Sequence, residues 1–144
     1  MTKAERKYCV KSRNWFRDGR RNGGVSELYL WNEMLMFGVL FAWPVTNEQM
    51  HKALKEYDCE LQDSVLHDRG AEYVNDTKDD RHFVFFTEGA IKEDVRARNI
   101  SHECLHVVGA ALRHRGIPLN FDSEEIYAYL LGWMVGEVTG RMKP

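Results

Sequence analysis

His102-Glu103-Cys104-Leu105-His106 is the stretch whose residue types and spacing could do chemistry. Two histidines four apart on a helix lie one turn apart on the same face, so both imidazoles can reach one metal ion. Glu103 projects beside that face. There a carboxylate can take a proton from a metal-activated water and later return it to a leaving group. With six His and thirteen Glu in 144 residues, random placement would produce an HExxH about 2% of the time, so the motif is informative. Zinc suits such a set. It needs a third protein ligand, and a catalytic site keeps the fourth position for water.

Two downstream residues compete for that third place. The pattern HExxHxxGxxH would use Gly109, but its last histidine position holds Leu112, and His114 comes two residues late. On a continuing helix His114 would sit about 12 Å further along the axis from His106. It is expected as a surface residue near the helix C-terminus. Glu125 is the better candidate, with eighteen residues between it and the motif. The turn Gly116-Ile117-Pro118 lets a second helix fold back to present it. Asp122 as N-cap with Glu125 at the third helical position would also make a variant capping box that needs no metal. The HExxH one helix upstream favours the ligand reading, giving His102, His106 and Glu125 as the expected zinc set. Glu124, about 100° round the helix, is expected on the solvent face.

Tyr129 lies one turn from Glu125 and could hydrogen-bond a ligand or a developing oxyanion. A buried tyrosine with a satisfied hydroxyl is the plain alternative, and Tyr127 has a weaker claim. Cys104 faces away from the ligand side and is expected as a small core residue. His51, His67 and His82 have no spacing partner and are expected on the surface or packed.

The elements that must position these groups follow from periodicity. Residues 5–21 could form a helix anchored by Tyr8, Trp15 and Phe16, broken at Asn22-Gly23-Gly24. Glu27 to Trp43 is apolar and aromatic, with a strand expected over at least Leu35–Phe41. Thr46 caps a helix to Tyr57 with Met50, Ala53 and Leu54 on one face. Short strands are expected around Val65 and Tyr73, then a polar loop over Asn75–Asp80. Arg81–Thr87 is β-prone and apolar toward both faces. A helix runs from about Glu93 to Arg115, closed by Gly116 and Pro118, and a last helix from Asp122 to about Val138. Strands first and two long helices last predict an α+β domain with a small, mostly antiparallel sheet packed on helices.

Length and composition narrow the function classes. At 144 residues the chain is one domain's worth. Its 44% apolar and 29% charged residues exclude a disordered chain. The cysteines Cys9, Cys59 and Cys104 are too few and scattered for a disulfide scaffold and fit a reducing, cytoplasmic setting. No signal-type apolar stretch opens the chain. The longest apolar run, Met34–Trp43, is half a membrane span, so no membrane role is expected. Residues 1–24 carry eight Lys and Arg against Glu5 and Asp18, a net of +6 in a chain of net −2. The rest is therefore acidic. A basic segment (1–24) is expected to precede a single domain (25–144). Such an arm could touch nucleic acid, though it more simply contacts solvent and its own acidic body.

Ile100-Ser101-His102-Glu103-Cys104-Leu105-His106-Val107-Val108, Gly116-Ile117-Pro118 and Ser123-Glu124-Glu125-Ile126-Tyr127-Ala128-Tyr129-Leu130-Leu131 together resemble small bacteriophage-encoded zincin-like proteins, described on their motif as metallopeptidases of gluzincin type. The resemblance covers roughly residues 95–136. It implies a zincin-like fold and Glu125, three residues before Ala128-Tyr129, as third ligand. It implies a viral protein acting in the host cytoplasm. It also implies that Arg81–Thr87 could lie along the cleft and pair with an extended peptide; an internal strand is the competing reading.

The leading expectation is a zinc hydrolase, a metallopeptidase with Glu103 as general base and a peptide or protein substrate. The alternative is a binding or inhibitor module on a zincin scaffold, directed at a host protein without catalysis. Nucleic-acid binding through residues 1–24 ranks third. No phosphate-binding glycine loop supports a nucleotide enzyme.

Overall fold

The computed structural model describes residues 24–57, 59, 65–76 and 80–142. The helix expected over 5–21, its break at Asn22-Gly23 and nearly all of the basic segment lie outside the described residues. So does most of the stretch before Val65.

The apolar stretch from Glu27 to Trp43 forms two strands, not one: β1 (Ser26–Asn32) and β2 (Phe37–Trp43). The break falls at the only polar pair within it. The Asn32 Oδ1 accepts the Leu35 N–H at 2.8 Å, and Met36 takes a positive φ of 55°. An asparagine bonding its own backbone in this way makes a turn, which places Leu35 outside the strand. Gly38 is needed where Tyr29 lies over β2, because a Cβ there would meet the Tyr29 ring. After β2, α1 (Asn47–Glu56) starts at Thr46 with a reciprocal capping box to Gln49.

Val65 lies outside any strand. β3 (Ala71–Asp76) takes in Asn75 and Asp76, and β4 (Arg81–Phe86) follows. The sheet order is β1-β2-β4-β3. β1–β2 and β3–β4 are antiparallel, while β2–β4 is parallel with Gly38 opposite Arg81. The sheet is therefore mixed, and β4 is internal. It has a partner on each side, so Arg81–Thr87 cannot take up an added peptide strand. β3 is the edge.

Both faces of the sheet are covered, which explains why Phe83, Val84, Phe85 and Phe86 are all buried. Leu40, Ala42, Phe83 and Phe85 meet α1 through Met50, Ala53 and Leu54. Val39, Phe41, Val84 and Phe86 meet the other two helices. One of these, α2 (Glu93–His114), begins with Glu93 and Asp94 in its first turn, where acidic groups suit the helix dipole. It ends in a Schellman arrangement: Gly116 has φ 72°, its N–H reaches the Arg113 carbonyl, and the Ile117 N–H reaches Leu112.

The last helix, α3 (Glu124–Arg141), opens at Ser123. The capping box weighed as the alternative role of Asp122 and Glu125 does not form. The Asp122 N–H donates to Asn120 Oδ1 at 3.0 Å, and the Ser123 hydroxyl donates to the Pro118 carbonyl. α3 packs on α2 and β1, whereas α2 packs on β3, at the opposite edge of the sheet. No helix among the described residues is long and apolar enough to cross a membrane.

Candidate functional site

The HExxH segment lies in the middle of α2, where helical spacing separates two faces. Ile100, Cys104, Val107, Val108 and Ala111 are buried against the sheet. His102 and His106 fall on the exposed side, toward the β3 edge. The two Nε2 atoms are 3.1 Å apart. A tetrahedral zinc with Zn–N near 2.0–2.1 Å separates two ligand nitrogens by about 3.3 Å, so the pair already has close to the required bite. Burial, followed by the neighbouring His102, lowers the pKa of His106. Both effects favour the neutral imidazole that ligation needs.

Glu103 lies between them and inward, only 6% exposed. Its Oε1 is 4.0 Å from His102 Nε2. Burial and then the Glu72 charge push its carboxyl up to about 7, the range suited to a group that exchanges protons near neutrality. Cys104 is fully buried and its thiol is pushed up to about 12 by burial and by Glu103. It stays a thiol and packs, as its helical position predicts.

His102, Glu103 and His106 line a pocket of about 210 Å³ together with Ala71, Glu72 and Tyr73 of β3. Tyr73 faces His106 with parallel rings, 5.9 Å between centroids and 5° between planes. Its hydroxyl lies 2.8 Å from His82 Nδ1. Sequence spacing pointed to none of Glu72, Tyr73 or His82. They reach the motif only through the pairing of β3 with β4 and the packing of α2 over β3, which no local pattern encodes.

The structure does not bring Glu125 or Tyr129 to this pocket. α3 buries the stripe Tyr127, Leu130, Met134 and Val138. Glu125 and Tyr129 are off that stripe and exposed, Tyr129 by 63%. The buried tyrosine with a satisfied hydroxyl is Tyr127, which donates to the Ile117 carbonyl at 2.9 Å. Among the described residues no three His, Cys, Asp or Glu side chains are gathered as metal donors. Two imidazoles thus fit part of a zinc site, and besides Glu103 the pocket is lined by one further carboxylate, Glu72. His114 and Glu124 are exposed, as expected.

No family model matches the chain, and no curated protein or solved structure matches it either.

Proposed function

We propose that this protein is a zinc-dependent hydrolase of zincin type that cleaves peptide bonds. The observation that carries the reading is the pair of Nε2 atoms 3.1 Å apart beside the buried Glu103, in a pocket lined on one side by β3. A zinc ion, when bound, supplies a Lewis acid and brings the pKa of a water toward 7.

The chain's own residues do the rest. His102 and His106 hold the ion through Nε2. A carboxylate completes the set: Glu72 lines the pocket, whereas Glu125, singled out by the spacing of the sequence, would reach the ion only if the start of α3 moved toward the histidines. Glu103 receives a proton on its carboxylate and passes it to the leaving amine. β3, an edge strand among the described residues, would offer backbone N–H and C=O groups to an extended substrate and so place its scissile bond over the histidines. This gives β3 the role that the resemblance assigned to Arg81–Thr87.

Metal content by mass spectrometry on protein purified without chelator tests the site, beside Glu125→Ala and Glu72→Ala. One zinc per chain is expected, weakened greatly in one of the two variants. Glu103→Gln should keep the zinc and lose roughly 10²–10⁴-fold in peptide turnover. Wild-type protein that stays metal-free when zinc is offered would sink the proposal, and so would full turnover by Glu103→Gln.

A further inference from the structure

Behind the histidine pair runs a chain of side-chain contacts that the hydrolytic reading does not use. His82 sits on β4, facing α2, and is 2% exposed. Its Nε2 is 2.9 Å from Asp80 Oδ1. The other Asp80 oxygen lies 2.8 Å from the Arg115 guanidinium. Arg115 in turn donates to the backbone carbonyls of Ala111 at 2.7 Å, Leu35 at 2.5 Å and Met36 at 3.0 Å. Its guanidinium also lies over the Phe37 ring.

The proton positions follow from the partners. An ionised Asp80 can only accept, so His82 Nε2 carries the hydrogen. In the neutral ring Nδ1 is then the acceptor for the Tyr73 O–H, 2.8 Å away. Burial, then the Asp80 charge, holds the Tyr73 hydroxyl above its ordinary pKa, so it remains a donor. Every rotatable group between Arg115 and Tyr73 is thereby pinned. The Tyr73 ring lies nearly parallel to the His82 ring, 6.1 Å and 13°, and to the His106 ring, 5.9 Å and 5°.

We infer that Tyr73 is a positioning residue for His106, its ring held as a fixed wall by the buried relay His82–Asp80–Arg115. Imidazole ligands are ordinarily oriented by a hydrogen bond to the ring nitrogen away from the metal. Here a stacked ring tethered through its own hydroxyl does that work. The inference builds on the reading of His102 and His106 as metal ligands, but the ring contact exists without metal and can be tested without it.

The experiment compares wild type with Tyr73→Phe, which keeps the ring and removes the tether, and Tyr73→Leu, which removes the ring. Imidazole resonances are recorded by NMR on metal-free protein. Zinc affinity is then measured by chelator competition, with circular dichroism to establish that each variant is folded. In wild type the His106 resonances should carry an upfield ring-current shift. That shift should be reduced or exchange-broadened in Tyr73→Phe and absent in Tyr73→Leu, while His102 is little changed. Zinc binding should weaken about 10-fold or more in both variants. His82→Asn offers an acceptor near the Nδ1 position and should restore part of the order that His82→Leu loses. Unchanged His106 resonances in folded Tyr73→Phe would overturn the tether, and unchanged resonances in Tyr73→Leu would overturn the wall. If wild type binds no zinc while the metal-free resonances change as described, the hydrolase reading fails and the positioning relay stands.

Discussion

The two faces of the sheet are built to different rules. Toward α1, the interior is Leu40, Ala42, Met50, Ala53, Leu54, Phe83 and Phe85, an aliphatic and aromatic layer. Toward α2 and α3, an apolar layer of comparable make-up is interrupted by a buried imidazole and a buried carboxyl, His82 and Glu103. Burying such groups costs free energy unless partners compensate. His82 has its partners in Tyr73 and Asp80. Glu103 is instead left with a raised pKa. The α1 face therefore supplies stability, and the α2 face holds a buried carboxyl whose environment opposes its charge.

Stability measurements can break or sharpen that contrast. Phe83→Ala, on the α1 face, should cost about 3–5 kcal/mol in urea unfolding at neutral pH. Glu103→Gln removes a carboxylate that burial disfavours, and should cost less than about 1 kcal/mol or stabilise the fold. Equal losses in the two variants would mean that Glu103 is a structural group and that the faces do not differ as described.

Gly38→Ala tests the packing on the α1 face, where the new methyl would displace the Tyr29 ring. A loss of about 1–3 kcal/mol, read as a lowered Tm, is expected. No change would mean that the face yields.

The smallest effect concerns the α2 face and acid. Burial of Asp80 opposes its charge, but hydrogen bonds from His82 and Arg115 outweigh burial and hold its carboxyl below the usual 3.8. A depressed pKa stabilises the fold above the unfolded value and loses that contribution as pH falls through the folded one. Wild type should therefore lose stability below about pH 3.8. Asp80→Asn should lose less over the same interval. Parallel curves in acid unfolding would remove Asp80 from the relay.

How much of this was legible in the sequence depends on the range of the interactions involved. The capping of α1 by Thr46, the span of α2, its closure at Gly116 and the burial of Cys104 are set by neighbours within a turn or two, and periodicity found them. The β1–β2 turn was missed because the surrounding apolar residues hide the short polar break at Asn32. Placing Glu125 and Tyr129 beside the histidines assumed that α3 crosses the motif face. Its buried stripe sends it to the β1 edge instead. Tyr73 and His82 gave no local signal, since their meeting depends on diagonal pairing of β3 with β4.

The parallel pairing of β2 with β4 carries a kinetic consequence. Asn32 and Phe37 pair across a four-residue turn, whereas Gly38 and Arg81 pair across forty-three positions of chain. Closing the longer loop costs roughly 2 kcal/mol more chain entropy than closing the shorter. The hairpin and α1 can therefore organise early and locally. His82 has no fixed place until that crossover has closed, and Tyr73 and His106 depend on it in turn. The chemistry of the chain is thus a late product of its folding, completed only after the scaffold around it exists.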